Sequence, residues 1–310
     1  ILAENTLNEY SASGKKEKDV KIEINNPIYD VEGKYLAIGE NNGQRLYLIS
    51  EDHVIWEKSV DGNLDKVTVN KNGYVSAIVT GTTYKSVIIT YDEKGNELFK
   101  TYLSKTIAVD ACVSPDNAEF AYAEVNNSGT TIQSNIKIIS IKDVKEKNTE
   151  PKYEYNAVQG SLILRIKYQD KSRLICMYDD SIHKFETGVD VELTKLNEDN
   201  PKITFADIEL NNYVFRTYEK STSLFSADTI IEMQNTSNGK ENVYTIEEVA
   251  KSVVSNNNVI AVNLGNEVYF VETNAWLIKR YSSSQVIEKI ILGDGVAGII
   301  YSDKIEIVNL

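Results

Sequence analysis

The sequence predicts an all-β fold: a seven-bladed β-propeller of four-stranded antiparallel blades, closed by an N-terminal strand. Three observations predict it, namely short runs of branched and aromatic residues, tight turns between the runs, and recurrence of the pattern roughly every 40 to 50 residues. The 310 residues include 19 Tyr and only four Pro. That composition favours strands, because branched and aromatic side chains fit a pleated, half-buried surface.

The clearest copy of the repeat is the stretch Val67–Leu103. Its four apolar runs are separated by turn clusters at Asn70–Gly73, Gly81–Thr83 and Asp92–Asn96. Four short strands joined by tight turns in about 40 residues are typical of one antiparallel meander, the unit of a propeller blade. In the preceding copy Gly33 occupies the turn position of Gly73, 40 positions earlier.

Seven such copies follow one another along the chain, and six of them contain four runs. The predicted strands are Ile28–Val31, Tyr35–Ile38, Arg45–Ile49 and Val54–Val60; Lys66–Val69, Tyr74–Val79, Ser86–Tyr91 and Glu97–Leu103; Ile107–Val113, Glu119–Glu124, Ile136–Ile141 and Tyr153–Tyr155; Ile163–Tyr168, Arg173–Tyr178, Ser181–Glu186 and Val189–Leu196; Ile203–Glu209, Tyr213–Tyr218, Thr229–Met233 and Asn242–Ile246; Lys251–Val254, Val259–Leu264, Glu267–Val271 and Leu277–Ser282; and Val286–Leu292, Val296–Tyr301 and Lys304–Val308.

The two ends of the chain complete the predicted ring. Residues 1–18 are polar and charged and are predicted to be a tether, and residues 19–310 are predicted to be the propeller domain. The run Val20–Ile24 alternates cleanly and stands ahead of the first copy, while the last copy has only three strands. We therefore expect Val20–Ile24 to supply the missing strand, because closure by a terminal strand removes an unpaired edge.

The charge balance excludes several classes of function. Against 33 Lys and Arg the chain has 46 Asp and Glu, a formal net charge of −13, so its average field repels nucleic acid and anionic lipid surfaces. No run of EF-hand type is present. The only cysteines, Cys112 and Cys176, are too few for a disulfide framework or a structural zinc site, and we expect buried thiols unless neighbouring blades pair them.

The chain begins at Ile1 rather than Met. It contains no stretch approaching 18 consecutive apolar residues, the length expected of a membrane span. We predict a processed, extracytoplasmic domain that is anchored to a membrane through an N-terminal segment preceding Ile1. The residues present in the sequence are expected to make no membrane contact of their own.

Two related stretches carry a family resemblance. Asp92–Phe99 reads D-E-K-G-N-E-L-F, and Ser50–Trp56 reads S-E-D-H-V-I-W. Both turn at acidic or Gly residues and enter the next strand with an aromatic residue, and in this the chain resembles the WD40-like and quinoprotein-like β-propeller superfamily. The chain is also similar to functionally uncharacterised membrane-anchored propellers of Gram-positive bacteria, which are rich in Asn, Lys, Ile and Tyr. The resemblance implies the fold and leaves the activity open.

No catalytic motif stands out. The only histidines, His53 and His183, fall in different copies and outside any nucleophile-elbow context, so a Ser-His-Asp triad is not expected. A quinone cofactor needs stacking aromatics and several Arg around the axis, whereas both Trp residues, Trp56 and Trp276, lie in outer-strand regions. We predict neither a cofactor nor a metal site.

Three carboxylates are the best candidates for a small-molecule site. Asp30, Asp110 and Asp207 lie in or next to predicted innermost strands, which line the central channel of a propeller. They are candidates for holding a cation or for acid and base chemistry on a sugar. The alternative is that each accepts hydrogen bonds from turn amides or channel water, since a polar channel is normal for this architecture.

Two functions are therefore weighed. The first is a non-enzymatic scaffold or binding module at the cell envelope that holds a protein partner. The second is a carbohydrate-active or small-molecule enzyme or receptor that uses the axial carboxylates. Tyr and basic residues at Lys152–Tyr155, Arg216–Tyr218 and Lys279–Tyr281 favour the scaffold, because Tyr and Arg are enriched at protein interfaces.

Overall fold

The structure is a computed structural model that describes residues 1–3, 5–11, 13–51, 53–145, 150–197, 201–224 and 226–310. The chain divides into two compact units. Unit 1 comprises Ile1–Glu9, Glu17–Asp179 and His183–Val191, and unit 2 comprises Tyr10–Lys16, Asp180–Ile182 and Glu192–Leu310. Within the described ranges, no helix is long and apolar enough to cross a membrane.

The described residues form eight successive β-meanders, which we number as blades 1 to 8 in chain order. Blades 1 and 8 have three strands, and blades 2 to 7 have four. The strands of blades 1 to 4 are β1 (Leu2–Ala3), β2 (Thr6–Tyr10) and β3 (Lys16–Lys21); β4 (Pro27–Glu32), β5 (Tyr35–Glu40), β6 (Arg45–Ser50) and β7 (His53–Ser59); β8 (Asn63–Val69), β9 (Val75–Thr80), β10 (Ser86–Tyr91) and β11 (Glu97–Leu103); and β12 (Ile107–Val113), β13 (Glu119–Asn126), β14 (Gln133–Ser140) and β15 (Tyr153–Asn156).

A one-turn helix, α1 (Ile141–Lys145), separates β14 from β15 in blade 4. The strands of blades 5 to 8 are β16 (Ile163–Tyr168), β17 (Arg173–Tyr178), β18 (Ser181–Glu186) and β19 (Val189–Lys195); β20 (Ile203–Asp207), β21 (Tyr213–Ser221), β22 (Ala227–Asn235) and β23 (Glu241–Ile246); β24 (Ser252–Asn256), β25 (Val259–Asn263), β26 (Glu267–Glu272) and β27 (Leu277–Ser282); and β28 (Lys289–Leu292), β29 (Val296–Ile300) and β30 (Ile305–Asn309).

The fold is an all-β β-propeller with eight blades, so the predicted count of seven is wrong. The predicted closure by Val20–Ile24 is wrong as well. β3 ends at Lys21 and lies in a sheet with β1 and β2, and the described part of the last sheet contains only β28, β29 and β30. The additional blade begins in residues 1–18, the segment predicted as a tether, and extends past it to Lys21; Glu4 and Ala12 lie outside the described residues.

Apolar contacts with blade 2 explain why blade 1 forms. Ile22 and Ile24, which follow β3, are buried against Ile38, Tyr47 and Ile49 of blade 2. Leu2, Leu7 and Val20 of the N-terminal sheet pack on the same cluster. The outward positions of β3 are exposed and mostly charged, which hides the strand from sequence patterns that depend on apolar alternation.

The cores lie between successive blades. In unit 1, Leu46, Leu48 and Trp56 of blade 2 form one cluster with Val67 and Val79 of blade 3, and similar clusters join blade 3 to blade 4 and blade 4 to blade 5. In unit 2, separate clusters join blades 6 and 7 and blades 7 and 8. Every residue of β10 is buried, because a middle strand is covered by neighbouring strands and by packing on both faces.

Buried hydroxyl groups link one blade to the next at the start of the third strand. Ser134 Oγ, in β14, accepts a hydrogen bond from Ile163 N of β16 at 3.4 Å and donates one to Ser161 O at 2.9 Å. The corresponding hydroxyls in blades 3 and 6 have equivalent roles: Ser86 Oγ accepts from Ala108 N at 3.1 Å, and Thr229 Oγ1 accepts from Ala250 N at 2.8 Å. Each bond fixes the entry of the chain into the following blade.

Loss of the Ser134 hydroxyl should destabilise the fold. We expect Ser134→Ala to lower the free energy of unfolding by about 1–3 kcal/mol, because buried backbone groups that it now satisfies lose their partner. Equilibrium denaturation with urea measures the change. Ser76→Ala is the matched control, because Ser76 is equally buried and its Oγ has no hydrogen-bond partner in the described structure. Equal losses in the two variants would contradict the role of Ser134.

Blade 1 should contribute to stability through Ile24. Because Ile24 is buried in the cluster between blades 1 and 2, we expect Ile24→Ala to cost about 2–5 kcal/mol of unfolding free energy. Val31→Ala, at an exposed position of β4, is the control and should be close to neutral. A similar small effect for both variants in a denaturation experiment would argue that blade 1 does not pack as described.

Candidate interaction surface

Asp110 is held by three hydrogen-bonding or ionic contacts. Its side chain is only 1 % exposed, and its Oδ1 lies 2.9 Å from Lys66 Nζ of β8. Oδ1 also accepts from Ala111 N, and Oδ2 accepts from Ile166 N of β16, each at 2.9 Å. The carboxylate therefore ties three inner strands together, and proton transfer to a substrate would require these bonds to break.

Asp30 and Asp207 make comparable contacts to the next inner strand. Asp30 Oδ2 accepts a hydrogen bond from Val69 N of β8 at 2.8 Å. Asp207, in unit 2, accepts from Ile208 N and from Ser255 Oγ of β24, both at 2.8 Å. Both carboxylates are half-buried. All three sequence candidates thus bond to a neighbouring blade; their lining of an axial channel stays a prediction.

The inner strands of unit 1 also carry paired charges. Lys167 Nζ of β16 lies 3.3 Å from Glu32 Oε2 at the end of β4, in addition to the Lys66 and Asp110 pair. Opposite charges at this spacing neutralise one another and lower the cost of removing each from water. Among the described residues, no group of three or more His, Cys, Asp or Glu side chains is arranged to hold a metal ion.

The two histidines lie in different blades, as the sequence predicts. His183 Nδ1 lies 2.7 Å from Asp190 Oδ1, and the imidazole sits between the rings of Tyr178 and Phe185, with centroids at 5.1 and 6.2 Å. His53 begins β7 and is exposed. The His183 and Asp190 pair therefore belongs to an aromatic cluster on the later strands of blade 5.

Both cysteines are free thiols. Burial, and then the nearby Asp110 carboxylate, raises the pKa of the Cys112 thiol, and burial likewise raises the pKa of Cys176. A thiol with a raised pKa is mostly protonated at neutral pH and is a poor nucleophile. The structure therefore gives both cysteines the character of small apolar side chains.

The three basic and aromatic stretches selected from the sequence are largely satisfied internally. Lys152 Nζ pairs with Glu119 at 2.7 Å, Arg216 Nε pairs with Glu232 at 2.9 Å, and Arg280 pairs with Glu267 while lying over the Tyr269 ring. Glu267 and Glu119 thus neutralise charges that a partner would otherwise meet. These stretches alone do not define an interaction surface.

A different feature stands out beside the third stretch: the turn between β26 and β27 in blade 7. Trp276 is 72 % exposed, and it is followed by Leu277 and Ile278 with 41 % and 39 % exposure. Three consecutive large apolar side chains at the surface are unusual for a soluble fold unless they have a function. We call the segment Glu272–Ile278, which comprises this turn and the first two residues of β27, the tryptophan turn.

The tryptophan turn is a closely hydrogen-bonded loop. Ala275 N donates to Glu272 O, and Glu272 N donates to Trp276 O, both at 2.8 Å. Asn274 Oδ1 accepts from Trp276 N at 3.0 Å. Ala275 has φ +65°, in the left-handed region that is uncommon for residues other than Gly. These bonds fix the backbone from which the exposed indole projects.

Blade 3 contains the same turn with polar residues in place of Trp276 and Leu277, and with Leu98 in place of Ile278. Gly95 takes the left-handed position at φ +77°, Gly95 N donates to Asp92 O, and Asp92 N donates to Asn96 O, both at 3.0 Å. In both blades a bulge follows two residues after the turn. Asn96 and Glu97 therefore correspond to Trp276 and Leu277. Since a polar pair satisfies the same backbone, the fold does not require the apolar pair of blade 7.

The other tryptophan has a structural role. Trp56 is buried in the cluster of blades 2 and 3, with its ring centroid 5.5 Å from that of Tyr91. A Cβ at Gly95 would lie 2.9 Å from Trp56 Cγ, so the indole leaves space only for Gly there. Sequence reasoning placed Trp56 and Trp276 together in outer-strand regions. Trp276 directly follows the left-handed residue Ala275, whereas Trp56 packs against the next blade, and the sequence alone does not separate the two positions.

The sequence matches the model of one protein family over nearly its whole length. The chain belongs to DUF5711, a family of unknown function, whose match covers residues 2–310. A comparison with curated proteins gives no significant match. The family assignment therefore carries no activity with it.

Solved structures with similar folds are β-propellers. BamB from Moraxella catarrhalis is 12 % identical, with a TM-score of 0.52 over 98 % of this chain and 88 % of that one. The C-terminal WD40 domain of Sif2 is 12 % identical, with a TM-score of 0.50 over 92 % and 96 %. Hsv2 from Kluyveromyces lactis is 13 % identical, with a TM-score of 0.51 over 89 % and 90 %. At these identities the likeness concerns the fold alone, and it confirms the WD40-like propeller resemblance.

Proposed function

We propose that the protein is a non-enzymatic interaction scaffold at the cell envelope and that the tryptophan turn is its contact surface for a protein partner. The observation that carries the proposal is the exposure of Trp276, at 72 %, at a turn position that Asn96 occupies in blade 3. Trp is the residue type most enriched among side chains that dominate binding energy at protein interfaces.

The rigidity of the turn supports the same proposal. Binding ordinarily costs free energy to immobilise loops and side chains, and a surface that is already ordered loses less. Two backbone hydrogen bonds and the Asn274 side chain hold the turn. Binding therefore requires little further ordering of the backbone at the turn.

The contacts of the acidic side chains favour binding over catalysis. Asp110 is buried and bonded at both oxygens, so its hydrogen-bonding capacity already serves the fold. No described feature favours the carbohydrate-active or small-molecule alternative over the scaffold, and that alternative stays a prediction from the sequence.

The envelope location extends the sequence resemblance to membrane-anchored propellers. The two free cysteines do not distinguish an oxidising from a reducing compartment. The location therefore rests on that resemblance.

Site-specific photo-crosslinking tests the contact surface. A photoreactive phenylalanine analogue is placed at Trp276, and at Asn96 as the matched position in blade 3. In the native cell we expect a discrete protein adduct from position 276 and none from position 96, because only the former belongs to the proposed surface. Identical adduct patterns at both positions, or no adduct at 276, would contradict the proposal.

The variant Trp276→Asn/Leu277→Glu, which copies the blade 3 turn, serves as the folding control. Its free energy of unfolding should lie within about 0.5 kcal/mol of wild type, as for surface substitutions generally. A larger loss would mean that the tryptophan turn has a structural role.

Thiol labelling in intact cells tests the location. A membrane-impermeant maleimide should label Trp276→Cys and Asn96→Cys in unbroken host cells, because both positions are at exposed turns. The wild-type protein gives the background labelling of its own thiols, since Cys176 is buried and Cys112 is half-buried. Labelling of the two variants only after lysis would exclude an extracytoplasmic location.

A further inference from the structure

Blade 8 lacks the fourth strand that blades 2 to 7 possess. Within the described ranges its third strand, β30, pairs with β29 alone, whereas the third strands of blades 2 to 7 each lie between two strands. All residues of those strands are buried or half-buried. In β30, by contrast, Ile305 and Asn309 are exposed. We call the side of β30 that faces away from β29 the open edge.

The ladder between β29 and β30 shows which backbone groups point to the open edge. It runs without a register shift, and Leu310 N donates a hydrogen bond to Gly295 O at 2.9 Å. Because bonded and non-bonded pairs alternate in an antiparallel ladder, the even-numbered residues of β30 bond to β29. The residues that direct their N–H and C=O groups to the open edge are therefore Ile305, Ile307 and Asn309.

The other three-stranded blade protects its third strand with charge, and blade 8 does not. β3 of blade 1 reads Lys-Glu-Lys-Asp-Val-Lys, and its charged side chains are exposed. Such charges on an edge strand discourage pairing with another chain. β30 reads Ile-Glu-Ile-Val-Asn, and its one ionic side chain, Glu306, already pairs with Lys304. Since β30 also contains neither a bulge nor Pro, its sequence suits the addition of a strand.

The open edge lies beside β27, the strand into which the tryptophan turn leads. Lys279 Nζ donates to Asn309 O, and Tyr281 Oη donates to Glu306. These contacts run in opposite order along β27 and β30, so the tryptophan turn lies beyond the Asn309 end of the open edge. Trp276 precedes Lys279 by roughly 10 Å of extended chain. One extended segment of about eight residues can therefore reach both features.

We propose that an extended segment of the partner protein pairs with the open edge as the fourth strand of blade 8. The inference rests on the proposed function and deepens it, because it states how the partner of the tryptophan turn binds. Ile305 and Ile307 each offer one donor and one acceptor to the segment, while Lys279 holds the acceptor of Asn309.

The side chains of β30 define the kind of segment that fits. Val308 is buried in the cluster of blades 7 and 8. Side chains alternate between the faces of a strand, so Ile305 and Ile307 lie on the opposite face, where Ile305 is 41 % exposed. In strand addition, backbone bonds give affinity and alternate side chains give specificity. The segment is therefore expected to carry apolar residues at alternate positions, next to Ile305 and Ile307.

A strand supplied within the chain tests whether the open edge accepts one. The protein is extended after Leu310 by Thr-Asn-Gly and a copy of Glu97–Leu103, the fourth strand of blade 3. Asn-Gly favours a two-residue hairpin, and the added Thr brings the hairpin into the odd-numbered register. By NMR, we expect the amides of Ile305 and Ile307 to exchange with deuterium at least about tenfold more slowly than in the unextended protein.

The matched control has Pro in the extension at the copy of Thr101. In the expected register this residue faces Ile307, and Pro has no N–H to donate. The control should leave the exchange of Ile305 and Ile307 close to that of the unextended protein. Equal exchange in all three proteins would overturn the inference, because the open edge would then not take up a strand.

Variants of the open edge test whether the partner uses it. The photoreactive analogue stays at Trp276, and the yield of the adduct in the native cell is compared. Ile307→Pro removes an outward N–H and none that bonds to β29, a position at which Pro is tolerated. Ile307→Val keeps the N–H and is the matched control. Ile305→Lys gives the open edge a charge like those of β3. Thermal melting checks that each variant folds.

We expect Ile307→Pro and Ile305→Lys each to lower the adduct yield at least roughly tenfold relative to Ile307→Val, as for the loss of an important contact. If Ile307→Pro does not fold, Ile305→Lys decides. An undiminished adduct overturns the inference and leaves the interaction scaffold standing. Absence of the adduct from the chain with an unaltered open edge removes the proposed function, and this inference with it.

Discussion

The hydrogen bond from a backbone amide to a buried hydroxyl of the preceding blade is the interaction on which the order of the blades depends. Apolar packing between two sheets is non-directional and tolerates sliding. By contrast, a hydrogen bond is directional: the amide of Ile163 must reach Ser134 Oγ, and sliding of one sheet on the other would break this bond. Asp30, Asp110 and Asp207 add a second set of directional bonds at the inner strands. Within blades 2 to 5, and separately between blades 6 and 7, each blade is thereby held in register with the next, as in repeat proteins whose stability is a sum of nearest-neighbour terms.

The hydrogen bonds of these acidic residues also limit their possible catalytic roles. In propellers, acidic residues on the polar inner strands are the usual candidates for catalysis. In unit 1 the acidic residue buried most deeply on an inner strand, Asp110, is bonded to Lys66 and to two backbone amides. Its negative charge contributes to the joint between blades 3, 4 and 5. The sequence shows an acid in an inner strand, but only the structure shows which groups its two oxygens already serve.

Most of the strands could be located from the sequence because their signals are local. The predicted bounds Ser86–Tyr91 and Glu97–Leu103 are those of β10 and β11, since apolar runs and a turn at Asp92–Asn96 suffice to define them. Blade 1 was missed because β3 is charged along most of its length, and its packing depends on Leu2 and Leu7, isolated in a polar segment. That error also produced the wrong blade count and the wrong closure. The exposure of Trp276 was beyond reach for a similar reason: burial is decided by contacts from the adjoining blade.

In the turn that carries Trp276, the residues that set the backbone conformation are different from the residues that face solvent. Its backbone conformation is shared with blade 3, where Gly95 makes room for Trp56, whereas the two residues after the left-handed position face solvent in both blades. Substitution at those two positions alters neither the joints between blades nor the strand ladders. Relatives with this fold can therefore change the surface that this turn presents by substitutions at two sites, without passing through an unstable intermediate.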